Sequence, residues 1–148
     1  MKISTKGRYG LRILIDLANH DTGKPRLIRD IAQAQQISEK YISRLVIALR
    51  RAGLIRSVRG INGGFHLAKK PSEITLLEVL EVMEGPVAVV ECVSSTLKCG
   101  RHTHCGVRSI WQQLNDNIRN MMSSITLEEI LKACAEQDGD TPFTDYCI

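Results

Sequence analysis

Apolar and polar positions alternate with helical spacing through the first fifty residues. They predict three helices, at about 9–18, 27–35 and 39–52. The positions expected to face a core are Leu11, Leu14, Ile15 and Ala18 in the first helix, Ile28, Ile31 and Ala32 in the second, and Ile42, Leu45, Val46 and Leu49 in the third. Ser38 is placed to cap the third helix, and Gly53 is placed to end it in a left-handed turn. Two short helices followed by a turn and a third helix predict a helix-turn-helix.

The third helix and the segment after it have the features of a DNA-binding surface. Small polar and cationic side chains are left on the outward face of this helix, namely Lys40, Ser43, Arg44, Arg50 and Arg51. The segment IRSVRGINGGFHL, residues 55–67, alternates around a run of turn-forming residues and predicts a β-hairpin. A hairpin in this place is a wing, and Arg59 lies near its tip, where a guanidinium can reach a minor groove.

The second half of the chain predicts three further helices. Thr75 and Glu78 match a capping box, so a helix is expected from Leu76 to about Glu84. Apolar positions then recur in steps of four and three along a helix that begins near residue 107, at Val107, Trp111, Leu114, Ile118, Met121 and Ile125. This heptad seam either packs on the domain's own core or pairs with a second copy of the chain. We favour pairing, because about 18 helical residues span ~27 Å and overhang a small core.

A second capping box, Thr126 to Glu129, opens a last helix that should end near Ala135. The fold class is therefore mainly α with a small β-hairpin wing. A winged helix-turn-helix domain is expected in residues 1–70, a linking helix and cysteine-containing loop in 71–105, and a dimerisation helix with a C-terminal helix and tail in 106–148. The sequence contains neither a long apolar run nor a secretory signal, so we expect a cytoplasmic protein without a membrane partner.

Charge is distributed very unevenly along the chain. Residues 1–70 contain 15 Lys and Arg against 4 Asp and Glu, whereas the remainder contains 5 against 12. The two parts thus have net charges of +11 and −7, which together give the overall +4. A basic surface without a partner is the plainer interpretation, but a helix-turn-helix this basic indicates contact with the phosphates of double-stranded DNA.

Three of the five cysteines, Cys92, Cys99 and Cys105, fall within fourteen residues. Their C-x6-C-x5-C spacing lacks the paired C-x2-C of structural zinc sites, whereas soft thiolates suit an iron–sulfur cluster. A reversible thiol-oxidation switch is the alternative. His104 and His102 are candidates for a fourth ligand, while Cys134, in a predicted helix, is expected to be a core residue. An incomplete ligand set predicts a labile cluster that is easily lost during purification.

Several signatures coincide in one order along the chain: STKGRYGLR at the start, ISEKYISRLVIALRRAGLI in the third helix, SVRGINGGFHLAK in the wing, and the three cysteines before a tryptophan-bearing helix. Over nearly its whole length the chain resembles the winged-helix regulators of bacteria typified by IscR and NsrR. The resemblance implies a homodimer that binds a pseudo-palindromic operator and carries an iron–sulfur cluster, with 2Fe–2S favoured over 4Fe–4S. It also implies that DNA is contacted by Ser38, Lys40, Tyr41, Ser43, Arg44 and Arg59.

The chain departs from that pattern at three positions. Arg108 stands where the IscR branch has a histidine ligand, and Arg8 stands where the NsrR branch has an aspartate. Ser43 takes the place of a glutamate with which the IscR branch discriminates between DNA sequences. The expected function is nevertheless a transcription regulator, such as a repressor, that is controlled by an iron–sulfur cluster responding to iron–sulfur, redox or nitric oxide status.

Two alternatives to this function stay open. One is a metal-free winged-helix regulator that senses a thiol metabolite or a partner enzyme. The other is a dithiol redox enzyme, which is disfavoured because the chain has no C-x-x-C motif and no Gly-rich phosphate loop. We therefore expect no enzymatic activity.

Overall fold

A computed structural model describes residues 2–60, 63–94 and 104–137. Along these residues the helices and strands are α1 (Thr5–Asn19), α2 (Ile28–Gln35), α3 (Glu39–Arg51), β1 (Ile55–Val58), β2 (Gly64–Leu67), α4 (Leu76–Glu84), α5 (Glu91–Ser94), α6 (Arg108–Ser124) and α7 (Leu127–Gln137). The chain is thus mainly helical with one antiparallel hairpin, which confirms the predicted fold class. Among the described residues, none of the helices combines the length and apolar character needed to cross a membrane.

The first helix begins one turn earlier than the sequence predicted and buries a different stripe. Ser4 is its cap, with the side-chain oxygen accepting a hydrogen bond from the backbone N–H of Lys6. Of the four predicted core positions only Leu14 is buried, whereas Leu11, Ile15 and Ala18 are partly buried at the edge of the core. Ile13 and Leu17, which were not predicted, are buried instead. The prediction was wrong here because apolar residues surround much of this helix, so its rotation depends on what packs against it.

Packing of α4 on α1 decides that rotation. A Cβ atom at Gly7 would lie 2.5 Å from a carboxylate oxygen of Glu84, and one at Gly10 would lie 2.6 Å from Cγ of Met83. A side chain at either glycine would require Glu84 or Met83 to move. Side chains of α4 therefore lie directly over these two glycines, and the neighbouring apolar residues of α1 turn toward α4.

The other two helices of the first half match their predicted patterns. In α2, Ile31 and Ala32 are buried and the predicted Ile28 is partly buried against the core, while in α3 the buried residues are Ile42, Leu45, Val46 and Leu49. Gly53 follows α3 with φ of 72°, as expected for a left-handed helix end. One apolar core includes these helices together with Ile74, Val79, Met83 and Leu127 from later in the chain.

The hairpin is held against the helices by a short additional pairing. Strands β1 and β2 pair from Ile55 opposite Leu67 to Val58 opposite Gly64. Arg26, in the loop before α2, exchanges two backbone hydrogen bonds of 2.9 Å with Phe65 of β2. The base of the wing is thereby fixed to the segment that leads into the helix-turn-helix.

The caps of the second half differ in how completely they form. The hydroxyl of Thr126 accepts from the backbone N–H of Glu129, whose carboxylate accepts from the backbone N–H of Thr126, so this box is reciprocal. At α4 the hydroxyl of Thr75 accepts from the N–H of Glu78, but the carboxylate of Glu78 accepts from Lys69 Nζ at 2.6 Å instead. Only half of the predicted box is present there, because a cation lies within reach of its glutamate.

Candidate DNA-binding surface and cysteine segment

The outward face of α3 is cationic and exposed. Lys40 and Arg44 are both exposed on this face, and Ser43 is half-buried beside them. The hydroxyl of Ser43 donates to the backbone carbonyl of Glu39 at 2.7 Å, while the side-chain oxygen of Ser38 accepts from the backbone N–H of Tyr41 at 3.3 Å. Ser38 thus caps the start of α3, and Ser43 bonds within its first turn, so the exposed cations of this face beside them are Lys40 and Arg44.

Tyr41 has a packing role that sequence reasoning did not assign. Its ring is half-buried and meets the ring of Tyr9 edge-on, with 5.9 Å between ring centroids. The guanidinium of Arg12 lies 5.3 Å from the centroid of Tyr9 on the same side of α1. This stack connects the start of α3 to α1, and so contributes to the orientation of the cationic face.

A buried carboxylate, Asp16, connects the helix-turn-helix with the wing and was missed by the sequence analysis. Asp16 is 2% exposed, and it accepts hydrogen bonds from Arg26 Nε at 3.0 Å and from Gln35 Nε2 at 3.3 Å. Gln35, at the end of α2, accepts in turn from Arg12 Nε at 3.0 Å. Arg26 also forms backbone hydrogen bonds with Phe65 of β2. The carboxylate of Asp16 therefore connects the wing, through Arg26, with the end of α2, just before the turn that leads to α3.

The tip of the wing presents Arg59 to solvent. Arg59 is exposed next to Gly60, whose φ of 109° favours glycine. The backbone N–H of Gly63 donates to the carbonyl of Gly60 at 2.9 Å and closes the turn. A Cβ at Gly63 would lie 2.5 Å from the carbonyl oxygen of Val58, so this tight turn requires glycine. Residues 61–62 lie outside the described part of the chain.

Two of the three clustered cysteines lie in the described part of the chain. Cys92, in α5, and Cys105, just before α6, are both half-buried. Arg108 bonds to both, because its Nη1 donates to the carbonyl of Cys92 at 2.9 Å and its backbone N–H donates to the carbonyl of Cys105 at 3.2 Å. The two ends of the cysteine loop therefore meet at the first turn of α6. Cys99 and His102 lie outside the described residues, and His104 is exposed.

The long helix α6 holds the segment before the cysteine loop through a series of polar contacts. Asn115, which is buried, accepts from the backbone N–H of Val89 at 3.2 Å. Arg119 donates to the carbonyl of Val87 and pairs with the carboxylate of Glu81 in α4. Together with Arg108 on Cys92, these contacts align residues 87–92 along α6.

The heptad seam of α6 is largely exposed in the single chain. Val107, Trp111, Leu114 and Met121 are exposed, as is Ile110 beside them. Ile118 is partly buried against a small cluster formed by Leu80, Val87 and Met122. Most of the seam is therefore available for contact with another surface.

Glu84, the last residue of α4, caps the start of α1. Its Oε1 accepts from the Ser4 hydroxyl at 2.7 Å, the Ser4 backbone N–H at 3.1 Å and the Gly7 backbone N–H at 2.9 Å. The Ser4 hydroxyl hydrogen bond, with smaller contributions from the backbone donors and Lys6, lowers the pKa of Glu84 against a counteracting effect of burial. The cap therefore joins the end of α4, three residues before the segment held by α6, to the start of α1.

Three helices, a tight turn and a two-stranded wing beside an exposed cationic helix define a winged helix-turn-helix protein. The chain belongs to the Rrf2 family, described as iron-dependent transcriptional regulators, whose model matches residues 3–133. It is therefore a DNA-binding transcription regulator, and its family and relatives are regulators rather than enzymes.

Individual relatives fall into more than one group. The chain is 39% identical to the transcriptional regulator CymR of Bacillus subtilis over 130 residues, which are 88% of this chain and 89% of CymR. A solved structure of CymR, the global cysteine regulator of B. subtilis, has a TM-score of 0.74 and 38% identity, over 90% of this chain and 98% of that one.

The similarity to IscR proteins is of comparable extent. IscR of Photorhabdus laumondii is 35% identical over 146 residues, covering 95% of this chain and 88% of its own. The solved structure of T. potens IscR has a TM-score of 0.74 and 34% identity, over 99% of this chain and 97% of that one. The family and the IscR likeness predicted from the sequence are confirmed.

Proposed function

We propose that the protein is a homodimeric regulator that binds a pseudo-palindromic operator and is controlled by an iron–sulfur cluster. Residues 1–70 contact DNA, residues 71–105 carry the three cysteine ligands of the cluster, and residues 106–148 pair the two copies. The observation that carries this proposal is the exposed cationic face of α3 beside an exposed arginine at the tip of the wing.

In this proposal α3 enters the major groove and the wing reaches the adjacent minor groove. Lys40 and Arg44 extend from the outward face of α3 to phosphates and base edges, and Arg59 extends from the wing. Ser38, Tyr41 and Ser43 lie beside them at the N-terminal end of α3, which in this proposal is the end nearest the DNA. Most of the positive charge of the chain is on this half, which supports binding to phosphates.

The exposed seam of α6 supports pairing with a second copy. A helix of 17 residues spans about 26 Å and exposes a row of large apolar side chains. A helix that buries such a row against its equivalent forms a symmetric interface, which places two winged helices on two half-sites. The half-sites are then one or more helical turns of DNA apart.

The cysteine segment offers donors that suit an iron–sulfur cluster. The half-buried thiols of Cys92 and Cys105 lie on two segments that Arg108 brings together, and Cys99 belongs to the loop between them. Three thiolates with His104 or His102 as a fourth ligand fit a 2Fe–2S cluster better than a 4Fe–4S cluster in this proposal. A bound cluster supplies a redox-active, labile centre, and the residues that transmit its presence are those that hold residues 87–92 along α6.

A metal-free regulator that senses a thiol metabolite or a partner enzyme is the second candidate. Arg108 favours it, because a guanidinium is no ligand for iron–sulfur clusters and it occupies the position next to both cysteines. The extent of the similarity to CymR is a further reason to keep this candidate.

One experiment separates the two candidates. The protein is purified anaerobically, its iron and acid-labile sulfide are measured, and Mössbauer spectra establish the cluster type. DNA selected from a random pool is then titrated with the cluster-containing and the cluster-free protein. Stoichiometric iron and sulfide with a difference in affinity support the cluster, whereas colourless protein that responds to thiol or disulfide supports the metal-free regulator. Failure to prefer any duplex over random competitor, with or without iron, contradicts the DNA-binding proposal itself.

A further inference from the structure

An exposed isoleucine, Ile47, lies in the middle of the cationic face of α3. Lys40, Arg44, Ile47 and Arg51 follow one another at i, i+4, i+7 and i+11, so they form a single stripe on the helix surface. Ile47 is 43% exposed, whereas the other large aliphatic residues of α3 are buried in the core. The Ile47 side chain is therefore only partly packed within the single chain and leaves apolar surface exposed.

The surroundings of Ile47 indicate what kind of surface covers it. Lys40, Arg44 and Arg51 are all exposed around it, and a protein surface that buried this isoleucine would also have to accommodate three cations. A DNA groove provides for both kinds of group. Its phosphates bind cations, and its floor in the major groove displays one apolar substituent, the C5-methyl group of thymine.

We propose that Ile47 contacts a thymine methyl group in the major groove and so determines part of the operator sequence. The inference rests on the proposed entry of α3 into the major groove. Ile47 lies three residues, or about 4.5 Å of helix rise, beyond Arg44. Base pairs are about 3.4 Å apart, so the thymine lies within one or two base pairs of the base that Arg44 approaches.

The test removes the contact from each partner in turn. An operator is first selected from random DNA, and each thymine of a half-site is replaced in turn by deoxyuridine, which lacks only the C5-methyl group. With the wild-type protein, one such replacement is expected to weaken binding about fourfold, which corresponds to about 0.8 kcal/mol for one buried carbon group.

The same series is measured with Ile47→Ala. This variant should bind the thymine operator several-fold more weakly and should lose no further affinity when the critical thymine becomes deoxyuridine, because the two changes remove one contact. Ile3→Ala is the matched control, since Ile3 is 41% exposed but lies before α1, away from the cationic face. It should keep the fourfold sensitivity to deoxyuridine.

The outcomes distinguish this inference from the function on which it rests. Independent, additive losses from Ile47→Ala and deoxyuridine overturn the inference, because they show that another residue contacts the methyl group. Insensitivity of the wild-type protein to every deoxyuridine also overturns it. In both cases a preferred operator still exists, whereas the absence of any preferred duplex contradicts operator binding as a whole.

Discussion

Arg44 and Arg59 are the single residues from which we expect the largest effects on DNA binding. Each is exposed, and in the proposed complex each extends from an element that enters or reaches a groove. Arg44→Ala and Arg59→Ala should each weaken binding to the selected operator by ~1–3 kcal/mol, as measured by fluorescence anisotropy at fixed salt. Lys132→Ala, on the exposed surface of α7, is the control for loss of one positive charge. Equal losses on operator and random DNA would show that the arginines contact phosphates only.

The cysteines give a second prediction at the same scale. Cys92→Ala and Cys105→Ala should each reduce the iron bound after anaerobic reconstitution. Each variant leaves only two of the three proposed thiolate ligands, and the loss of one ligand weakens the site. Cys134→Ala is the matched control, since this half-buried cysteine lies in α7. Iron content measured per protomer decides the matter. Full iron content in either cluster variant would exclude that cysteine as a ligand.

At the scale of secondary structure elements, Asp16 determines how the wing is placed relative to the helices. Asp16→Asn keeps the size of the side chain but replaces a charged acceptor for Arg26 by a neutral one. We expect a loss of about 1–3 kcal/mol in the free energy of unfolding. We also expect faster hydrogen exchange at the amides of Arg26 and Phe65, which bond to each other's carbonyls.

Specific DNA binding should fall further than this loss of stability explains. The wing and α3 must reach two grooves at once, so a displaced wing reduces the ratio of operator to random DNA affinity. Asp30→Asn removes a carboxylate that pairs with Arg29 on the surface, and it should leave both amide exchange and this ratio unchanged. An unchanged ratio in Asp16→Asn would show that the carboxylate contributes to stability alone.

The cap between α4 and α1 predicts a dependence of stability on pH. The pKa of Glu84 is lowered in the folded protein from 4.5, chiefly by the Ser4 hydroxyl, so folding favours the carboxylate. Its contribution to stability is present above the unfolded value and is lost as pH falls through the lower folded value. Glu84→Gln should therefore be less stable than wild type near neutral pH, and this difference should shrink below pH 4.5 in urea denaturation. A difference that is independent of pH would contradict the proposed charge-dependent cap.

At the scale of the whole molecule, the exposed seam of α6 predicts a dimer. Leu114→Glu places a charge in the middle of the seam and should weaken dimerisation by about 2 kcal/mol or more, measured by sedimentation equilibrium. Gln113→Glu introduces the same charge at the neighbouring exposed position outside the seam, and it should leave the dimer intact. Wild-type protein that remains a monomer at micromolar concentration would contradict pairing through this helix.

Local sequence was sufficient to predict the elements whose ends and faces depend on nearby residues. The core stripe of α3, its cap at Ser38 and the glycine end at Gly53 all appear as predicted, because caps and helical spacing act within a few residues. The bounds of α4 are also as predicted, from Leu76 to Glu84. The positive charge of the first seventy residues is a property of composition, and it required no fold to be known.

Contacts between distant residues had to come from the tertiary structure. The rotation of α1 follows from the close approach of α4 at Gly7 and Gly10, which lie about 75 residues before their contacts. Sequence spacing likewise gives no sign that Asp16 connects Arg26 with Gln35, or that the side chain of Arg108 bonds to the carbonyl of Cys92. Periodicity specifies which residues share a face, but the partner of that face is decided by how helices far apart in sequence pack together.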